Sequence, residues 1–343
     1  MENDSQWLFP LDALRSTPSV STSNIPLAKE LYDRARGVEF LFRLGTSLGL
    51  PSSANFTAAT WFHRFYMRYS LEDYHRQDVA ASCIFLATKT EECGRKLRDV
   101  ARVCQSKIKN IEVSHIASDS PEVEQQQTAI LLTEEVLLEA LCFDFVTSSP
   151  HAELVDLFSA HQADTTVQDY AWSIAHDSYR TPLCVLFPTR IIAGACYVLA
   201  QRMSDGPHSA SLDARISVSS PSDSLPTPPS HKPASPDATR FVIEYFSFSE
   251  SDIGLSNPSS DALQILLDFY SAQDLESSSG HVGPLAAIPP PSRPHYTTLY
   301  QPWPEVGRSA LAPQSNGEGE RACCSRTSSA QVEPRWPARI LAP

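Results

Sequence analysis

The sequence has 343 residues, of which 42% are apolar and 20% charged, and its formal net charge is −13. This is enough chain for two domains of ordinary size. The acidic balance argues against broad, non-specific binding to nucleic acid, which depends on a positive field. The longest apolar run, at residues 191–200, covers about half of a membrane-spanning helix, and no signal-peptide pattern opens the chain. We therefore expect an intracellular protein without a membrane span.

Cysteine spacing argues against a metal or redox centre. The chain has eight cysteines, and no two of them form the C-x-x-C spacing of a zinc ribbon or a redox site. Six fall within apolar helical patterns, where a reduced cysteine behaves as a small hydrophobic residue. We expect reduced thiols, no metal and no cofactor.

The first half of the chain carries a series of helical patterns. Apolar residues recur with helical spacing and predict helices at residues 27–50, 56–69, 76–92, 95–109 and 122–143. Gly49 and Pro51 stop the first helix, and residues 52–55 are expected to cap the second. The second helix has an aromatic face that we interpret as core packing, formed by Phe62, Phe65, Tyr66 and Tyr69.

The pattern then starts again. Further helices are predicted at residues 150–160, 167–179 and 188–203, with weaker amphipathic stretches at 241–248 and 262–270. The small-residue centre at 193–196 occupies the place that residues 80–83 hold in the first series, which indicates an internal repeat of an all-helical unit. Nineteen of the 27 prolines follow residue 204. We expect disorder in an insertion at 204–239 and in a tail at 273–343.

Several strings resemble the cyclins, specifically the transcriptional branch of cyclins K, L and T and the fungal CTD kinase subunit beta. The resemblance lies in residues 36–50, 61–67, 83–92, 95–100, 134–145, 170–178 and 188–200. It implies an all-α fold of tandem five-helix cyclin boxes. The first box would cover residues 28–146 after an extension at 1–27. The second would cover 147–272, interrupted at 204–239.

Two charged residues stand beside the predicted apolar faces. Lys89 lies next to the face of the central helix that carries Leu86, and Glu134 lies among Ile130, Leu131, Leu137 and Leu138. From the residues alone, the two charges either pair internally at the rim of the core or meet a partner. The resemblance implies that they hold the base of the αC helix of a kinase. It also implies that this helix packs on Leu86, Leu138, Phe143 and Phe145.

The function implied by the resemblance is regulatory and not catalytic. No common nucleotide-binding, hydrolase or metalloprotease motif is present, so we expect no catalytic residues. The expected partner is a cyclin-dependent kinase similar to the alpha subunit of CTD kinase, with a third subunit as an open question. The substrate of the complex would be the C-terminal repeats of RNA polymerase II, in the nucleus during elongation. The alternatives are a TFIIB-like factor that contacts DNA and a splicing-linked cyclin of the L type.

Two further features leave their roles open. The stretch 95–109 holds six cations against one acid, which is typical of a solvated face but also of a surface for phosphorylated protein segments or RNA. The insertion contains the Ser/Thr-Pro dipeptides that cyclin-dependent kinases prefer, at Ser220, Thr227 and Ser235. Phosphorylation by the partner kinase is one interpretation, and the ordinary composition of a Ser/Pro-rich linker is the other.

Overall fold

Helices form nearly all of the regular structure in this computed structural model, which describes residues 6–160, 164–205, 238–248, 258–272 and 299–300. The first series consists of α1 Pro18–Ser21, α2 Leu27–Ser47, α3 Ser52–Tyr66, α4 Arg76–Thr90, α5 Leu97–Lys109 and α6 Pro121–Ala140. The second consists of α7 Pro150–Ala160, α8 Thr165–Ser178, α9 Thr189–Asp205, α10 Ala238–Tyr245 and α11 Pro258–Ser271. Short 3₁₀ turns lie at Leu11–Ser16, Val113–His115 and Pro182–Val185. The described residues contain no strand, so the predicted all-α class is confirmed.

Each series packs around one central helix. In the first, α4 contacts α2, α3, α5 and α6, and its small residues Ala80 and Ala81 are fully buried. In the second, α9 contacts α7, α8, α10 and α11. Gly194 lets α10 approach closely, because a Cβ atom there would lie 2.6 Å from Val242 Cγ1. Both small-residue centres therefore allow close helix packing, one in each apolar core, as the repeat predicts.

Several helix ends differ from the sequence prediction, most clearly those of α3 and α6. Helix α3 begins at Ser52, so residues 52–55 form its first turn and do not cap it. It ends at Tyr66, and the half-buried Tyr69 follows the helix while its ring stacks on Phe65 at 4.9 Å. Helix α6 ends at Ala140, and not at residue 143, because the chain turns into left-handed backbone immediately afterwards.

Three cysteines are buried within the helical cores as expected, but one is exposed. Cys83, Cys104 and Cys196 are buried, and burial raises the pKa of each thiol, which keeps it protonated. Cys142, however, lies outside a helix and is exposed, so its interpretation as a small core residue is wrong. Within the described part of the chain, no three His, Cys, Asp or Glu side chains are grouped as metal ligands. None of the described helices is long and apolar enough to cross a membrane.

Two residues of the segment predicted as a disordered tail are packed. Leu299 and Tyr300 are 5% and 4% exposed and belong to the apolar core of the second series. Leu299 N donates to the Asp268 carboxylate at 3.3 Å, and the Tyr300 ring lies edge-on to Phe269. The expectation of a tail without packing does not hold for these two residues. Most of the predicted insertion, with Ser220, Thr227 and Ser235, lies outside the described residues.

Candidate protein-interaction site

Lys89 and Glu134 form an ion pair between α4 and α6. Lys89 Nζ lies 2.5 Å from Glu134 Oε1, and the side chains are 47% and 9% exposed. Glu134 Oε1 accepts no hydrogen bond of good geometry from the described residues, so the contact is electrostatic. That oxygen is shielded from solvent, so the pair presents a half-exposed ammonium group backed by a nearly buried carboxylate.

The last turn of α4 places the lysine at the surface. Leu86 is 5% exposed and packs into the core, and Lys89 follows one turn later at the carboxyl end of the helix. A cation at this end is stabilised by the helix dipole. The ammonium group also lies 4.4 Å from the centroid of the Phe85 ring, a favourable cation–π distance. Leu86 thus packs beneath this surface and exposes little area to a partner.

Helix α6 supplies the second half of this surface. Glu134 lies near the middle of the helix, and the half-buried Leu138 follows one turn later on the same side. Leu131, which the sequence places on the apolar face, is 48% exposed on this side, whereas Ile130 is fully buried. Consecutive helical residues point about 100° apart, so the three side chains of the run Ile130-Leu131-Leu132 cannot all face the core. That run indicates that at least one of them lies at the surface.

The loop after α6 carries the aromatic part of the site. We name residues 141–147 the presentation loop. Phe143 is 64% exposed and has a φ of 56°, while Phe145 is half-buried with its ring 5.9 Å from that of Trp61. The two phenylalanine rings meet edge-on at 6.4 Å. Val146, which the sequence analysis did not single out, is 65% exposed.

Together these elements make a surface suited to a partner helix. An apolar centre formed by Leu131, Leu138 and Phe143 lies on the helix and loop that also carry Glu134, and Lys89 reaches that carboxylate from α4. Apolar area supplies binding free energy, and a charged pair fixes the register of the partner. All six predicted interface residues are found on these three elements.

The cationic stretch at 95–109 is used largely for internal contacts. The Arg95 guanidinium donates to the carbonyl oxygens of Leu48 and Gly49, both at 2.9 Å. Arg102 donates to the carbonyl oxygens of Val113 and Ile116. Each arginine satisfies backbone acceptors at the end of a neighbouring element, which the charge count could not reveal. The positive surface is therefore smaller than the sequence suggests.

The sequence matches the cyclin family model and several individual cyclins. The family model "Cyclin, N-terminal domain" matches residues 14–146. Cyclin pch1 of Schizosaccharomyces pombe is 36% identical over 265 residues, which cover 77% of this chain and 73% of that protein. Cyclin-K of Homo sapiens is 29% identical over 57% of this chain and 33% of its own length. Cyclin-T1-4 of Arabidopsis thaliana is 33% identical over 57% of this chain and 37% of its own length. The chain thus spans less than half of the cyclin K and T relatives.

Two solved structures share the fold. A chain of the yeast RNA polymerase II CTD kinase complex CTDK-1 superposes with a TM-score of 0.50 at 16% identity, covering 71% of this chain and 74% of that chain. A chain of the yeast TFIIK complex superposes with a TM-score of 0.53 at 17% identity, covering 78% of this chain and all of that one. At these identities the likeness is one of fold.

Proposed function

The chain belongs to the cyclin family, and we propose that it is the regulatory subunit of a cyclin-dependent kinase that phosphorylates the C-terminal repeats of RNA polymerase II. The observation that carries the proposal is the surface that combines the Lys89–Glu134 ion pair with the exposed Phe143. The similarity to cyclins pch1, K and T supports the transcriptional branch over the cell-cycle branch.

The mechanism we propose is a shift of the kinase population. A protein kinase holds ATP for transfer only when its β3 lysine pairs with the αC glutamate and its activation loop is ordered. A rigid surface that binds the αC helix only in this position favours the active state by its differential affinity for the two states. The apolar residues Leu131, Leu138 and Phe143 would contact the helix, and Lys89 and Glu134 would bind the backbone at its base.

The cyclin contributes binding and no chemistry in this scheme. Phosphoryl transfer takes place on the kinase, so the chain needs neither a metal nor a nucleotide of its own. A role in elongation and a nuclear location are further parts of the proposal, and a third subunit is an additional candidate partner; all three follow from the resemblance to the cyclin subunits of CTD kinases.

The test is affinity capture of the full-length protein from native nuclear extract, with mass spectrometry and a kinase assay on a polymerase C-terminal repeat peptide. Wild type should recover a cyclin-dependent kinase that is active on the peptide. Phe143→Ala should recover much less kinase, because truncating a central aromatic residue commonly costs 2 kcal/mol or more, roughly 30-fold in affinity.

The matched control is Val155→Ala. Val155 is an apolar residue of α7 that is 49% exposed, away from the proposed surface, and its truncation should leave recovery unchanged. Equal recovery with Phe143→Ala would contradict the proposed surface. Recovery of promoter DNA or polymerase without a kinase would contradict the proposed function and favour the TFIIB-like alternative.

A further inference from the structure

The turn at Cys142 and Phe143 and the loop residues that follow it are held in place by different groups. Cys142 and Phe143 both adopt left-handed backbone, with φ values of 51° and 56°. Residues other than glycine keep this conformation only where the surrounding structure fixes it. Cys142 is exposed and Phe143 is 64% exposed, so neither is anchored by burial. Backbone hydrogen bonds to the end of α6 fix this turn instead, from Cys142 N to the Glu139 carbonyl at 2.9 Å and from Phe143 N to the Leu138 carbonyl at 3.1 Å. The loop residues after the turn are held by neighbouring side chains.

Trp7, in the N-terminal extension, contacts the loop directly. It is 6% exposed, and its indole Nε1 donates to Asp144 Oδ2 at 2.8 Å. The Gln6 side-chain amide donates to the same oxygen. The other carboxylate oxygen of Asp144 accepts from Val146 N at 3.2 Å. Trp7 thereby orients the carboxylate that shapes the middle of the loop.

Arg64 of α3 links the same indole to the next loop residue. Its guanidinium carbon lies 4.8 Å from the centroid of the Trp7 ring, and Nη1 donates to the Val146 carbonyl at 3.0 Å. Arg64 is 3% exposed, so this stack is shielded from water, where a cation–π contact is strongest. One indole therefore supports two loop residues, Asp144 directly and Val146 through Arg64.

The segment that carries Trp7 is anchored in the second box. Phe9 N donates to the Val185 carbonyl at 2.8 Å, and Leu14 is 1% exposed within the apolar core of the second series. Trp7 lies only two positions before Phe9, so it cannot move far from this anchor. The second box is thus connected to the presentation loop of the first through the N-terminal extension.

We infer that Trp7 is a positioning residue for kinase binding: together with Arg64 it holds the presentation loop so that Phe143 and Phe145 face the kinase. This inference rests on the proposed function. Trp7 acts through the loop, because its own buried side chain offers little area to a partner. The N-terminal extension is accordingly part of the kinase-binding unit, although it carries none of the contact residues.

The decisive variant is Trp7→Phe in the full-length protein. Phenylalanine keeps a ring over Arg64 but removes the indole donor to Asp144, which retains the donor from Gln6, so the fold should be preserved. We expect an affinity for the captured kinase about tenfold lower than wild type, the scale of one hydrogen bond to a charged group. Amide hydrogen exchange at 141–147 should become faster in the free protein. Trp172→Phe, at a tryptophan of α8 that is 44% exposed, should change neither quantity.

Testing Trp7→Phe in a protein that already carries Phe143→Ala separates a positioning role of Trp7 from other roles. In Phe143→Ala the ring to be presented is absent, so Trp7→Phe should lower the affinity by much less than tenfold. An unchanged affinity in Trp7→Phe would overturn the inference. So would a loss that is equally large in the Phe143→Ala background, or a loss without faster exchange in the loop. If wild type itself bound no kinase, the proposed function would have failed first, and the two failures are thus distinguishable.

Discussion

His63 Nε2 lies 2.8 Å from the carbonyl oxygen of Tyr179, and this contact joins the two cyclin boxes in their buried junction. His63 belongs to α3 of the first box, and Tyr179 follows α8 of the second. Since a carbonyl oxygen only accepts, the imidazole must donate from Nε2. In the same junction the near-parallel rings of His151 and Tyr179 both stack on the Phe56 ring, at 4.2 and 4.8 Å. Histidine therefore helps to hold the two boxes together.

These histidines make stability depend on pH. Burial and then the nearby Arg34 charge lower the pKa of His63 to about 3, although the bond to Tyr179 opposes them. Burial and then His176 lower the pKa of His151 to about 4. In the unfolded chain a histidine titrates near 6.5, so below that pH the unfolded state binds more protons and stability falls toward pH 4 and below. Between pH 7 and 5.5 the loss should be about 1 kcal/mol per histidine.

Urea unfolding at the two pH values measures this loss. His63→Gln keeps a donor for the Tyr179 carbonyl but does not titrate, so its free energy of unfolding should fall less than that of wild type. Parallel losses in the two proteins would show that His63 does not carry the effect.

A buried ion pair supports the first turns of α2. Arg34 Nη2 lies 2.5 Å from Glu30 Oε1, and the side chains are 0% and 1% exposed. Thr17 Oγ1 donates to the other carboxylate oxygen at 2.5 Å. Glu30→Ala would leave a buried guanidinium without its counter-charge, and we expect a loss of about 3–5 kcal/mol in the free energy of unfolding.

The control for Glu30→Ala is the more exposed ion pair of Arg36 and Glu39, whose side chains are 46% and 34% exposed. Such pairs contribute less than about 1 kcal/mol, so Glu39→Ala should have a small effect. Chemical denaturation measures the free energy of unfolding of both variants. Similar losses would contradict the claim that the buried Glu30 pair contributes more to stability than the exposed pair.

Close helix packing leaves no room for a side chain at Gly37 of α2. A Cβ atom on Gly37 would lie 2.2 Å from Cζ of the fully buried Phe62. We expect Gly37→Ala to lower the free energy of unfolding by about 1–3 kcal/mol, the usual range for overpacking. At Gly94 a Cβ atom would meet nothing within 4 Å, so Gly94→Ala should be tolerated. Thermal unfolding compares the two, and equal melting temperatures would contradict the packing described for α2 and α3.

The sequence predicts the helices well because each buries one periodic face. It is weaker at helix ends, since no glycine marks the left-handed backbone of Cys142 and Phe143. At the candidate site, the roles proposed for Lys89 and Glu134 rest on the resemblance, because periodicity alone cannot separate an internal pair from an interface pair. The contact of Trp7 with Asp144 could not be predicted, because 137 positions separate the two residues and no local pattern connects them.

The central claim is that the Lys89–Glu134 pair serves a kinase and not only the cyclin itself. The reversed pair Lys89→Glu with Glu134→Lys separates these roles. It restores an internal ion pair of opposite polarity, so a purely internal role would survive the exchange. Groups on the kinase would instead meet the wrong charge, which costs several kcal/mol at an interface. The melting temperature of the variant establishes that its fold is intact.

The most direct measurement is therefore the rate at which the purified kinase subunit phosphorylates a polymerase C-terminal repeat peptide, alone, with wild-type cyclin and with the charge-reversed variant. Wild type should raise the rate up to about 100-fold, as a shift of the kinase from mostly inactive to mostly active implies. The folded, charge-reversed variant should leave the rate near that of the kinase alone. Full activation by that variant, or no activation by wild type, would contradict the account.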